Sequence, residues 1–152
     1  MPPWIGSFSS SGSPTLKVAI SGPFGDGLEY EATIDTGFTG FLSIPLGEAI
    51  RLGLILYGTT SVTFANGETS FRLTAKGKVK VGEEYKIGVA VLEWKSTEVL
   101  LGIGFLRQFQ KAMLISQYGV VLEAEIELEK ADKSVSASGP IAPAPDSTST
   151  QP

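Results

Sequence analysis

The stretch "YEATIDTGFTGFLSIP", residues 30–45, sets one acidic side chain between two apolar runs. "LEYEATI" (28–34) reads as a strand, with β-branched residues and partial alternation. "FLSIP" (41–45) reads as a second, short strand stopped by Pro45. Asp35, Thr36 and Gly37 lie between them. A carboxylate left charged and unpartnered beside Ile34 and Phe38 costs several kcal/mol. Two readings compete. In one, Asp35 accepts a hydrogen bond from the backbone two residues on and Gly37 completes a turn. In the other, the carboxylate is there for chemistry.

The rest of the chain narrows that choice. Its 152 residues, 42% apolar and 18% charged, fit one globular domain. A formal charge of −4 and a pI near 4.9, with no basic stripe, argue against nucleic acid or an anionic membrane as partner. There are no cysteines and no histidines. Disulfides, thiol chemistry, Ser-His or Cys-His catalysis and the usual zinc sites are therefore excluded, and no metal is expected. Acid–base work falls to carboxylates, lysine or tyrosine. "MPPWIGSFSSSGSP" has neither the basic nor the apolar region of a signal peptide, and no apolar run approaches the length that spans a bilayer. A soluble, cytoplasmic protein is the expectation.

Working outward, residues 1–14 read as a flexible N-terminal segment, 15–129 as the folded domain and 130–152, rich in Ser, Thr and Pro, as a disordered tail. "TLKVAISG" (15–22) is strand-like and joined to the 28–34 strand through the glycine-rich "GPFGDG". "LGEAIRLGL" (46–54) reads as a short helix with Leu46, Ala49, Ile50 and Leu54 near one face. Val62 and Phe64, then Phe71 and Leu73, alternate on either side of Asn66-Gly67, which marks a hairpin. "KVKVG" and "YKIGVAVLEW" form a further strand pair, with the lysines on a solvated face. "EVLLGIGFLRQF" places Leu101, Phe105 and Phe109 at helical spacing, and "KAMLIS" and "GVVLEAEIEL" complete the strands. A mainly β domain with one or two short helices follows.

Ile34-Asp35-Thr36-Gly37, followed far downstream by Leu100-Leu101-Gly102 ahead of a helix, resembles the retropepsin-like aspartic proteases. "FANGE" (64–68) stands where that family has its hairpin flap, and the likeness runs from about Leu16 to Glu127. It is nearest to small prokaryotic members carrying "DTGFTG". Phe38 departs from the small alanine of the better-known members, so its bulk is expected to reshape the cleft.

The resemblance implies a retropepsin-like closed or partly open β-barrel, one lobe per chain. It implies a homodimeric aspartic endopeptidase that acts on polypeptides without a cofactor. A second Asp-Thr-Gly or Asp-Ser-Gly is absent from the chain, so Asp35 of two copies must meet on a two-fold axis. Asp35 is then catalytic. Thr36 and Gly37 support the active-site loop, and Leu100, Leu101 and Gly102 support it from beneath. Phe38, Phe64, Ala65, Asn66 and Gly67 are the expected substrate contacts of flap and cleft, and "GVVLEAEIEL" is the expected interface strand. Two alternatives stay open: a dimerisation or peptide-binding module of the same fold with little or no catalysis, and an unrelated β-barrel whose Asp-Thr-Gly is only a turn.

Overall fold

The computed structural model describes residues 2–63 and 66–124. Ten strands and two short helices follow in the order β1 (Trp4–Phe8), β2 (Pro14–Ser21), β3 (Leu28–Ile34), β4 (Leu42–Pro45), α1 (Leu46–Leu52), β5 (Ile55–Thr63), β6 (Thr69–Val81), β7 (Glu84–Glu93), β8 (Leu100–Leu101), α2 (Ile103–Gln108), β9 (Lys111–Ser116) and β10 (Gly119–Ala124). The sheet order is β5-β6-β7-β4-β8-β3-β2-β1-β10-β9, and a further β6–β2 pairing closes the run from β6 to β2 into a barrel.

Period-two alternation explains the closure. Leu16, Val18 and Ile20 of β2 point inward, as do Ala32 and Ile34 of β3 and Ala75, Val79 and Val81 of β6. These meet Leu42, Ile44, Leu92, Leu101 and Phe105 in one continuous core. The odd positions of β3 face the other way, so Thr33 and Asp35 share a face while Ile34 anchors the strand between them. Burying Ile34 and Leu101 side by side fixes the register from which Asp35 emerges.

The ends differ from the sequence expectation. Within residues 1–14, expected to be a flexible lead-in, Trp4–Phe8 forms a strand paired with β10 through residues 4–6 and with β2 through residues 7 and 8. The Trp4 ring packs edge-on against Phe109 at 5.1 Å and lies 6.2 Å from Phe105. Gly6 allows the change of partner, because a methyl there would sit 2.3 Å from the Thr15 carbonyl. Lys111, buried at the start of β9, lies over the Trp4 ring and 3.6 Å from Glu84 Oε2. Of the expected interface stretch "GVVLEAEIEL", residues 119–124 form β10, which pairs with β9 and β1, and the described sheet ends at β5 and β9. Residues 125–128 of that stretch, and the 130–152 tail, lie outside the described residues.

Both helices are shorter than their apolar spacing implies. Gly53, in the left-handed region at φ +69°, ends α1, and Leu54 follows outside the helix. Ala49 is buried and Leu46 and Leu54 pack on the core, but Ile50 is 71% exposed, because two turns bury only a narrow stripe. In α2 only Phe105 of the expected trio is helical; Leu101 belongs to β8 and Phe109 caps the C-terminus.

Glu48 of α1 accepts hydrogen bonds from the Tyr30 hydroxyl and from Arg51. Burial, and then the bond to Glu48, push the Tyr30 phenol up from 10.0 to about 12. Unfolding returns it to its ordinary value. Its stabilising share is therefore complete below pH 10 and vanishes as pH rises through about 12. Ultraviolet titration of the wild type is expected to show a late phenol that Tyr30→Phe lacks. A late phenol that persists in Tyr30→Phe, or none in the wild type, ends this assignment.

Candidate active site

Asp35 sits immediately after β3, where β3 runs parallel to β8 with Thr33 opposite Leu100 and Ile34 opposite Leu101. Its N–H donates to the Leu101 carbonyl at 2.9 Å, which continues the ladder one residue past the strand. The Gly37 N–H donates to Asp35 Oδ1 at 2.8 Å, and the Phe38 N–H to the Asp35 carbonyl at 3.1 Å. The carboxylate is half-buried, so the opening difficulty is resolved locally: one oxygen is held by a backbone donor and the group stays accessible.

The loop after Asp35 is locked to the start of α2. A helix begins with N–H groups that have no partner inside it. Here the Ile103 N–H donates to the Phe38 carbonyl at 2.9 Å, and the Gly104 N–H to the Thr39 and Gly40 carbonyls at 3.1 and 3.0 Å. Gly102 is buried under the same loop. A methyl on it would lie 2.3 Å from the Gly40 carbonyl and 2.4 Å from that of Phe38. Gly37 is constrained too, since a methyl there would press to 3.1 Å from Asp35 Oδ1. Backbone thus holds backbone, and the aspartate inherits the rigidity.

An open pocket of about 450 Å³ adjoins the carboxylate. It is lined by Thr33, Asp35, Thr36, Glu98 and Leu100 on the β3–β8 side and reaches Met113 and Ile115 of β9. Leu101, fully buried, supports the loop, whereas Leu100 faces the pocket beside Asp35. Thr36 and Gly37 are exposed. Phe38, expected in the cleft, is not part of this lining; its ring lies against Gly40 and Gly102, where added methyls would meet it at 2.6 Å. Two bare glycines give the ring a seat inside its own loop.

The β5–β6 hairpin pairs up to Thr63 opposite Thr69. Asn66 Oδ1 accepts the Glu68 N–H at 2.9 Å and Gly67 takes φ +88°, the turn chemistry that Asn-Gly favours. Phe64 and Ala65 lie outside the described residues. Glu98, Met113 and Ile115 were not singled out from the sequence. They join the site through strand pairing, and no local motif announces them. Among the described residues no cluster of side chains is suited to a metal ion, and no helix is long and apolar enough to cross a membrane.

No family model matches the chain, and no curated protein matches it in sequence. Solved structures do match in shape. One is a retropepsin-like aspartic protease from Rickettsia conorii, 20% identical, with a TM-score of 0.63 over 81% of this chain and 91% of that one. Another is EIAV protease complexed with the inhibitor HBY-793, 14% identical, with a TM-score of 0.56 over 72% of this chain and 99% of that one. The closed β-barrel and the β3–loop–β4 unit clamped by α2 are thus the fold of the retropepsin-like aspartic proteases.

Proposed function

We propose that the chain is one half of a homodimeric aspartic endopeptidase, with one Asp35 from each copy facing a shared water. The observation that carries this reading is the accessible Asp35 carboxylate, oriented by the Gly37 N–H on a loop clamped by α2. Two carboxyl groups about 3 Å apart hold one proton between them, as is established for aspartic proteases in general. The ionised member takes a proton from the water as it attacks the peptide carbonyl. The protonated member donates a hydrogen bond to the carbonyl oxygen as charge develops there. Thr36, exposed beside Asp35, meets the partner's loop, and the β5–β6 hairpin with Asn66 and Gly67 closes over the peptide. A cytoplasmic location is part of this proposal.

The free edge of β9 is the proposed meeting surface. β10 has a neighbour on both sides, while β9 stands at one end of the sheet order, with Leu114 57% and Ile115 54% exposed. Met113 and Ile115 of this strand also line the Asp35 pocket, so a second copy joined there abuts the site that needs it. Sedimentation equilibrium is expected to give twice the 16.0 kDa chain mass, and Leu114→Lys to weaken the dimer at least about tenfold and lower activity in proportion. A wild type that stays monomeric while cleaving peptides contradicts the two-copy site.

Activity itself is tested by incubating the full chain with a mixed peptide pool across pH. The expected result is cleavage with a bell-shaped profile favouring mildly acidic conditions, because activity requires the pair to hold one proton. No turnover at any pH, with no binding of a hydroxyl-bearing transition-state mimic, transfers the fold to the inert-module reading.

A further inference from the structure

We infer that Glu98 is a specificity-determining residue of this cleft, selecting a lysine or arginine side chain beside the bond that is cut. The inference rests on the endopeptidase reading and adds a substrate class to it.

Glu98 is held in place despite being exposed. Its N–H donates to Ser96 Oγ at 3.0 Å, and the Ser96 hydroxyl donates to the Glu98 carbonyl at 3.3 Å, which closes a tight turn. The next residue is fixed to β3, where the Thr33 N–H donates to the Val99 carbonyl at 2.9 Å. The Thr33 hydroxyl reaches Glu98 Oε1 at 3.5 Å. Thr33 precedes Asp35 by two residues on the same face of β3, a separation of about 7 Å along a strand. Glu98 and Asp35 thereby line the same pocket.

The pocket's composition supplies the selection. Its charged lining residues are Asp35 and Glu98, with Lys and Arg absent from that lining, and its apolar contributors include Leu100, Met113 and Ile115. A side chain with an apolar stem and a cationic head suits such a surface: the methylenes cover Leu100 and the head meets Glu98. A leucine fills the apolar part and leaves the carboxylate solvated. A glutamate brings like charge against two carboxyl groups. The formal charge of −4 for the whole chain also favours encounter with basic peptides.

The test uses the full chain and a randomised peptide library. Mass spectrometry locates the cuts, and matched peptides then carry Lys, Leu or Glu at the position flanking the bond. For the wild type at low salt, kcat/KM is expected to follow Lys over Leu over Glu, with about a tenfold span from Lys to Glu. Glu98→Gln is expected to bring the Lys-to-Glu ratio close to one, Glu98→Lys to invert it and Glu98→Asp to keep its sign. Taking the ratio within each variant removes any general loss of activity. Cleavage without charge preference, or a preference unchanged in the Gln and Lys variants, overturns the inference and leaves the protease intact. If nothing is cut, the endopeptidase reading fails first. Calorimetric binding of an uncleavable hydroxyl-bearing peptide in Lys and Glu forms then still decides the role of Glu98: equal affinities overturn it.

Discussion

Asp35→Asn is expected to lower peptide cleavage at least about 10³-fold while leaving the folded state intact. A positioned acid or base contributes about 10² to 10⁴ in rate, and one codon change alters both copies of the pair. Asparagine neither takes a proton from water nor holds the shared proton, so the loss falls on kcat. The fold loses little. The amide oxygen still accepts the Gly37 N–H, bonded at 2.8 Å in the wild type, and the Asp35 N–H to the Leu101 carbonyl is a backbone contact that the substitution does not touch. Thermal denaturation and sedimentation are the checks on fold and mass. Cleavage by Asp35→Asn within tenfold of the wild type, from the same purification, removes Asp35 from the chemistry.

The same variant separates an enzyme from an inert barrel. A transition-state mimic gains from the carboxyl pair what a ground-state peptide does not, so it is expected to raise the melting temperature of the wild type and not of Asp35→Asn. A peptide-binding module predicts equal shifts. From the sequence, the bulk of Phe38 is expected to reshape the cleft. Its ring lies on Gly40 and Gly102 and is not among the residues that line the Asp35 pocket.

What could be read before folding was local chemistry. Asp35 stands out because an acid between Ile34 and Phe38 needs an explanation, and the Asn66-Gly67 turn stands out because few residue pairs tolerate positive φ. The barrel strands declare themselves through alternation, as at Leu16, Val18 and Ile20. Other features required the fold. Trp4–Phe8 is too short for its alternation to register, and its partners in β10 are distant in the chain. Glu98 looks like any solvated acid until Thr33 is brought against it. The inward turn of Phe38 depends on the missing side chains of Gly40 and Gly102, which sixty residues of intervening chain separate. Spacing puts Ile50 near one face with Leu46, Ala49 and Leu54, an arrangement a longer helix would honour, but Gly53 stops α1 first.

Gly102→Ala is expected to destabilise the protein by about 3 kcal/mol or more, lowering the melting temperature by roughly 10 °C, and to take activity with it. Its φ of −103° is ordinary for alanine, so the effect is purely one of space. The added methyl would lie 2.3 Å from the Gly40 carbonyl oxygen, 2.4 Å from the Phe38 carbonyl oxygen and 2.6 Å from Phe38 Cδ2. A flexible side chain gives way at modest cost, but two of these three contacts are backbone. Relief requires the loop to lift from α2, which stretches the bonds donated by Ile103 and Gly104, each contributing about 1 kcal/mol net. Asp35 moves with that loop, and a displacement near 1 Å at a reacting group costs about 10² in rate. Gly104→Ala meets the Gly40 carbonyl at 2.8 and 2.9 Å and the Phe41 N at 3.0 Å, and is expected to lose less. Gly47→Ala is the counter-case. It lies inside α1 with nothing within 4 Å of the new methyl, so it is expected to gain about 0.5 to 1 kcal/mol from helix propensity. Thermal melts of the three variants order the effects. If Gly102→Ala melts with the wild type, the clamp between α2 and the aspartate loop does not bear on stability, and the rigidity assigned to Asp35 has to come from elsewhere.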